Sequence, residues 1–202
     1  LLAGCSGNSH TNNKIKELST ATKKAVTELE SEFKATKKSK HISPNQTAAS
    51  QPHLYLPLLK NKRVGVVVNQ TSVVNQQHSP AIHLVDFLRK HNVNVQFIFA
   101  PEHGFRGNHD AGEVVKSSKD SSTGIEIISI YGKNKKPTDN LMSQLDVIIF
   151  DIQDVGVRFY TYISSMHYMM QAAAKNDVEF IVLDRPNPNI QFVDGPMLEE
   201  GF

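Results

Sequence analysis

The sequence contains one cysteine, no tryptophan and no uninterrupted apolar run of about 18 residues. A single cysteine excludes an intrachain disulfide framework and a cysteine-based zinc cluster. The lack of a long apolar run excludes a transmembrane helix within these 202 residues. The 22 Lys and Arg nearly balance the 20 Asp and Glu, so bulk charge does not favour nucleic acid as a partner. Since 39% of the residues are hydrophobic, the chain can still build a packed core.

Three nucleotide- and ester-processing motifs are also missing. The sequence has neither G-x-G-x-x-G after its first strand nor G-x-x-x-x-G-K-[ST], which argues against a dinucleotide or P-loop site. It also lacks the G-x-S-x-G nucleophile elbow of α/β-hydrolases. We expect no cofactor and no resident metal.

The lone cysteine lies close to the start of the chain, in Leu2-Ala3-Gly4-Cys5, and a polar Ser6-Gly7-Asn8-Ser9 segment follows it. An apolar residue, two small residues and Cys resemble the lipobox of bacterial lipoproteins, which are cleaved before the Cys and lipidated on it. The resemblance implies a signal-peptide remnant at 1–5 and a membrane anchor at Cys5. It places the protein in the cell envelope, on the periplasmic, outer-membrane or cell-surface side. The alternative is an ordinary cysteine near a terminus.

A basic polar segment separates this motif from the rest of the chain. Residues 6–52 carry eight Lys and four Glu, and apolar positions between 14 and 38 recur at helical spacing. Residues 41–52 are rich in Ser, Asn and Pro, which is typical of a linker. We predict a tether with a possible helix over 6–53 and a globular domain over 54–202.

The globular part alternates strand-like and helix-like segments, which predicts an α/β fold with a Rossmann-like parallel sheet flanked by helices. The run Arg63–Val68 is β-branched and apolar, as a strand buried on both faces requires. The predicted strands are 63–68, 93–100, 126–130, 146–150 and 178–183, and the predicted helices are 81–91, 138–145 and 160–176.

Polar clusters follow each predicted strand. Because ligands of open parallel sheets bind at the carboxyl ends of the strands, these clusters predict a binding site at that edge. The clusters begin at Asn69, Pro101-Glu102-His103, Tyr131, Asp151 and Asp184.

The segment Pro101-Glu102-His103-Gly104-Phe105-Arg106-Gly107 offers the clearest acid. A Glu held beside an aromatic ring with little water can have a raised pKa and act as a general acid. His103 is a candidate for orienting or donating to a substrate, and Arg106 for binding a carboxylate or pairing with an Asp. The alternative is a structural turn in which Glu102 caps a helix.

Further candidates follow the fourth and fifth strands. Asp151 and Asp154 fit metal binding, base catalysis or hydroxyl recognition, although either can instead cap the loop or pair with Arg158. The aromatic and loop candidates for sugar binding are Tyr160, Tyr162, Asp184, Asn187 and Asn69, each with a purely structural alternative.

Taken together, Val64–Thr71, Pro101–Gly107, Asp151–Tyr162 and Asp184–Pro188 resemble the exo-β-N-acetylmuramidase (NamZ-like) family over residues 54–202. The resemblance implies an N-terminal Rossmann-like domain, a C-terminal domain and an active site in the cleft between them. It implies release of terminal β-linked N-acetylmuramic acid from peptidoglycan fragments, with Glu102 as the catalytic acid. The expected partners are muramic-acid glycans and the membrane that holds Cys5, and no nucleic acid.

The sequence leaves two further roles open, stabilisation of the oxocarbenium-like centre and binding of the lactyl carboxylate. Asp151, Asp154, Asp184 or the substrate's own acetamido group are alternatives for stabilising the oxocarbenium-like centre. Arg106 or Arg158 is expected to bind the lactyl carboxylate of muramic acid. Two alternative functions are a metal-dependent hydrolase or phosphotransferase that uses Asp151 and Asp154, and a non-catalytic sugar-binding lipoprotein.

Overall fold

The computed structural model describes residues 46–76, 79–102, 104–106, 118–132, 135–197 and 199. Within these ranges, six strands form one mostly parallel sheet and two further strands form a hairpin. The strands are β1 Arg63–Val68, β2 Val73–Gln76, β3 Ser79–His83, β4 Asn94–Ala100, β5 Ser118–Lys119, β6 Glu126–Ser129, β7 Val147–Asp151 and β8 Glu179–Val182.

Helices connect the strands and cover the sheet. The α-helices are α1 Pro52–Tyr55, α2 Leu84–Lys90, α3 Asp139–Met142 and α4 Tyr162–Lys175, and 3₁₀ helices span Ala48–Ser50 and Leu56–Leu59. Thr138 caps α3, because its side chain accepts a hydrogen bond from the amide of Leu141.

The sheet order is β5–β6–β4–β1–β7–β8, with parallel pairing throughout except between β5 and β6. After β1, the chain adds β4, β5 and β6 on one side of β1 and then adds β7 and β8 on the other side. This reversal places a topological switch point at the carboxyl end of β1, where such sheets form their ligand crevice. The predicted Rossmann-like α/β fold is confirmed.

The side chains of β1 alternate between two cores because successive residues of a strand point to opposite faces. Val64 and Val66 belong to the core that contains Leu84 and Leu88 of α2. Val67 belongs to the opposite core, which contains residues of α4 such as Met169 and Ala173. All of β7 is buried as well, which explains the continuous apolar runs of both strands.

Three strands, β2, β3 and β5, were not expected from the sequence. Residues 81–83, which were predicted to begin a helix, instead pair with β2, and Val73 lies opposite His83. The helix begins only at Leu84 because His83 acts as its cap, its ring nitrogen accepting from the amide of Val85 at 3.3 Å. The antiparallel β5 makes the sheet mixed rather than wholly parallel.

The tether prediction is wrong for residues 46–53. Ala49 is fully buried, and its carbonyl accepts a 3.0 Å hydrogen bond from the hydroxyl of Tyr55. The amide of Ala48 donates to the carbonyl of Asp184 at 2.9 Å, next to the end of β8. These residues therefore belong to the folded domain. Residues 1–45, with Cys5 and the rest of the predicted tether, lie outside the described residues.

None of the helices in the described part of the chain has the length and hydropathy needed to cross a bilayer.

Gly65 of β1 allows the close approach of its neighbours. A Cβ atom at this position would lie 2.9 Å from both Leu145 Cδ1 and Phe99 Cε2. We expect Gly65→Ala to lower the free energy of unfolding by about 1–3 kcal/mol through overpacking. Urea denaturation of the protein measures this change.

The same substitution in a Leu145→Ala background provides the control. We expect the cost of Gly65→Ala to fall there, since one of the two crowding side chains has been shortened. An equal cost in both backgrounds would contradict the packing explanation.

Candidate active site

A buried ion pair organises the carboxyl edge of the sheet. Asp151, the last residue of β7, is fully buried, and Arg185 follows β8. Arg185 Nε lies 2.6 Å from Asp151 Oδ1, and Arg185 Nη2 lies 2.9 Å from Oδ2. Nη2 also donates to the carbonyl of Val73 at 3.0 Å, which joins the β2–β3 hairpin to the sheet. Burial raises the pKa of Asp151, and the guanidinium opposes that shift.

Hydrogen bonds connect the turn after β1 to Asp151 at the end of β7. The hydroxyl of Ser72 donates to the carbonyl of Asp151, and the side-chain oxygen of Asn69 accepts from both the amide and the hydroxyl of Thr71. The carbonyl of Asn69 lies 2.9 Å from Nε2 of His83. Asn69 is buried, and its side-chain Nδ2 has no hydrogen-bond partner among the described residues. Because its side-chain oxygen accepts two hydrogen bonds from Thr71, Asn69 stabilises the turn after β1.

Glu102 lies in the wall of a cavity of about 510 Å³ at this edge. It follows Pro101 at the end of β4, and a turn with Gly104 at φ +74° closes through a hydrogen bond from the Gly104 amide to the carbonyl of Pro101. Glu102 is half-buried. The cavity is lined by Glu102, Ile130, Tyr131, Gly132, Lys135, Thr161, Ser164, Ser165 and Tyr168.

Tyr131 fixes the carboxyl group of Glu102. Its hydroxyl donates to Glu102 Oε1 at 3.0 Å. This hydrogen bond raises the pKa of Tyr131, so the hydroxyl stays protonated and remains a donor. One carboxyl oxygen is therefore held by the protein at the rim of a cavity that is large enough for a sugar ring.

Tyr162 supports the backbone of Glu102 instead of lining the cavity. Its hydroxyl donates to the carbonyl of Glu102 at 3.4 Å, and its ring is buried. Burial raises the pKa of Tyr162. The ring of Tyr160 packs against it edge-on at 4.9 Å. The expectation that Tyr162 stacks on a sugar therefore does not agree with its position.

Asp151 does not agree with the predicted catalytic role either. It has no exposed surface, and both carboxyl oxygens bind Arg185. A carboxylate in this arrangement cannot contact a substrate, so its role is to position the edge.

Arg106 is already neutralised by two carboxylates. Its guanidinium makes two 3.2 Å hydrogen bonds to Asp86 and further ones to Asp120, at 3.2 and 3.3 Å, and it packs over the ring of Phe105. Hydrogen bonding to Asp86 raises its pKa. The expected binding of the substrate carboxylate by Arg106 is therefore not supported, and the alternative of pairing with an Asp is the one observed.

The other predicted residues lie in two exposed loops that contact each other. Asp154 Oδ1 accepts from the amide of Gly156 at 2.9 Å, and the side chain of Asn187 packs against Gly156. Arg158 Nη1 donates to the carbonyl of Pro196 at 2.8 Å, and Asp184 Oδ1 accepts from the amide that follows it. Asp154 and Asp184 remain exposed at the edge. His103 lies outside the described residues.

The sequence placed Tyr131 at the binding edge but gave it no role, and Lys135 and Tyr168 were not predicted as cavity residues. Tyr131 resembles Glu102 in that it also directly follows a parallel strand. No feature of the local sequence marks Lys135 or Tyr168, because only the packing of α4 beside the loop after β6 brings them to the cavity.

A Rossmann-like sheet with a carboxyl group held at a cavity beyond its strand ends is the arrangement of an α/β ligand-binding or catalytic domain. Residues 64–202 match the family model described as "Exo-beta-N-acetylmuramidase NamZ, N-terminal". The chain belongs to this family.

Known relatives agree with this assignment. The chain is 45% identical over 150 residues to the peptidoglycan beta-N-acetylmuramidase NamZ of Bacillus subtilis (strain 168), covering 73% of this chain and 35% of that protein. Two crystal structures of DUF1343 family proteins from Bacteroides fragilis NCTC 9343 are similar, with TM-scores of 0.63 and 0.65 and identities of 45% and 41%. They cover 76% and 77% of this chain and 38% of each of those proteins. The chain thus spans little more than a third of the relatives it matches.

The ion pair at the edge predicts a large loss of stability on mutation. Asp151→Asn leaves Arg185 charged and buried without its partner, so we expect the free energy of unfolding to fall by about 3–5 kcal/mol. Urea unfolding at neutral pH measures the change. Asp154→Asn is the matched control, since it lies in the next loop and is exposed. If both variants unfold like the wild type, the ion pair does not organise this edge.

Proposed function

We propose that the protein containing this chain is an exo-acting glycoside hydrolase that releases terminal β-linked N-acetylmuramic acid from peptidoglycan fragments. The observation that carries the proposal is the position of Glu102, held by Tyr131 in the wall of a sugar-sized cavity. Membership of the family and the printed activity of the Bacillus subtilis relative support the choice of reaction and sugar.

In this proposal Glu102 protonates the glycosidic oxygen as the bond to the leaving sugar breaks. The hydrogen bond from Tyr131 to Oε1 orients the carboxyl group that carries the proton to the substrate. The developing positive charge on the sugar is met by Asp154, Asp184 or the substrate's acetamido group, since Asp151 is withdrawn into its ion pair.

The remainder of the site is proposed to come from outside this chain's described domain. Relatives are almost three times as long as the matched segment. The exposed loops that carry Asp154, Asp184 and Asn187 lie at the edge where a second, C-terminal domain would close the expected cleft.

We also propose that Cys5 carries a lipid anchor that holds the protein at the cell envelope. Its support is the Leu2-Ala3-Gly4-Cys5 sequence alone. Such an anchor would keep the enzyme near its peptidoglycan substrate.

The alternative of a metal-dependent hydrolase has less support. It requires Asp151 as a ligand, but both oxygens of that carboxylate face a guanidinium. The described residues also contain no cluster of three or more His, Cys, Asp or Glu side chains suited to a metal ion.

The proposal is tested on the full-length protein with a 4-nitrophenyl β-N-acetylmuramide and with a muramic acid–glucosamine disaccharide. We expect Glu102→Gln to lower kcat/KM for the disaccharide by about 10²–10⁴-fold, the usual contribution of a general acid. The loss should be smaller for the nitrophenyl substrate, because its leaving group needs less protonation. EDTA should change neither rate.

Glu179→Gln is the control, because Glu179 lies at the start of β8, at the opposite end of the strand, and pairs with Lys62. Full activity of Glu102→Gln on the disaccharide would contradict the proposed acid. Binding of the sugar without any turnover by the wild type would instead support a sugar-binding protein.

A further inference from the structure

The cavity beside Glu102 has a positively charged group in its wall. Among the described residues that line the cavity, Lys135 is the one cation. It lies in the loop after β6, and its Nζ atom is 5.8 Å from the centre of the Tyr168 ring on α4. No carboxylate among the described residues forms an ion pair with Lys135. Lys135 thus lines a cavity whose wall also contains hydroxyl-bearing side chains, among them those of Thr161, Ser164 and Ser165.

The two arginines expected to bind an anionic substrate are used elsewhere. Arg106 is held between Asp86 and Asp120, and Arg158 donates to the carbonyl of Pro196. Neither of them lines the cavity that contains Glu102. If a substrate with a carboxylate binds there, Lys135 is the described group placed to meet its charge.

We propose that Lys135 binds the lactyl carboxylate of terminal N-acetylmuramic acid and thereby selects this sugar over N-acetylglucosamine. The inference rests on the proposed function. N-acetylglucosamine has the same ring and acetamido group but lacks the lactyl ether, so a cation in this cavity meets a charge only on muramic acid. An ammonium–carboxylate contact in a partly enclosed site is a charge-assisted hydrogen bond, the stronger kind.

Lys136 offers a matched comparison within the same loop. Its Nζ atom lies 5.3 Å from the centre of the same Tyr168 ring, and it donates to Gln171 at 2.6 Å. Lys136 does not line the cavity. Removing its charge changes the loop and the contact with Tyr168 in nearly the same way, without removing the group that is proposed to bind substrate.

The test uses full-length wild type, Lys135→Met, Lys135→Arg and Lys136→Met. Each is assayed with the 4-nitrophenyl β-N-acetylmuramide and with the same compound whose lactyl carboxylate is converted to an amide. We expect Lys135→Met to lower kcat/KM for the acid by about 10- to 100-fold and to change the rate for the amide little. Lys135→Arg should restore part of the loss, and Lys136→Met should resemble the wild type.

Equal effects of Lys135→Met on acid and amide, or no effect on either, would overturn the inference while leaving the proposed function intact. If the wild type cleaves neither compound, the proposed function fails, and calorimetric titration of N-acetylmuramic acid then decides the inference. Binding that is lost in Lys135→Met and kept in Lys136→Met supports it. Equal binding by both variants, or no binding by the wild type, overturns it.

Discussion

The carboxyl edge of this domain depends on one buried ion pair. Asp151 ends strand β7, and Arg185 lies in the loop after β8, so their contact fixes the two strand ends relative to each other. Arg185 also donates a hydrogen bond to the carbonyl of Val73 in the hairpin, and the hydroxyl of Ser72 donates to the carbonyl of Asp151. Breaking a buried pair leaves an uncompensated charge, which makes this point of the fold intolerant of change.

The groups proposed to do chemistry are placed around this fixed edge. Glu102 follows β4, and Tyr131 follows β6, the strand that pairs with β4. Because the two strands are parallel and adjacent, their ends bring the carboxyl group and the hydroxyl within hydrogen-bond distance. Helix α4 then closes the cavity with hydroxyl groups from its first turn. The proposed proton donor, the ammonium proposed to bind the substrate carboxylate and the hydroxyl groups thus come from three separate elements.

The sheet was predictable because its central strands are buried on both faces and so read as uninterrupted apolar runs. The location of the site was predictable for a related reason, since polar residues must follow those runs at the carboxyl edge. Glu102 became a candidate in this way, and the family resemblance implied that it is the catalytic acid, which stays a prediction.

The predicted residue roles that the structure does not support depend on contacts between residues far apart in sequence. The local sequence does not show that Arg106 forms ion pairs with Asp86 and Asp120, or that Asp151 forms one with Arg185. The hairpin was missed because His83, an unusual cap, moves the start of α2 past residues with helical spacing. Lys135 was missed because its place beside Glu102 depends on how α4 packs against the loop after β6.

The central claim is that the cavity beside Glu102 binds the terminal sugar. The most direct measurement is a crystal structure of the full-length Glu102→Gln protein with a muramic acid–glucosamine disaccharide bound. The account predicts the glycosidic oxygen within about 3 Å of the residue 102 side chain, with the muramic acid ring in the cavity. A disaccharide bound away from this edge of the sheet would contradict it.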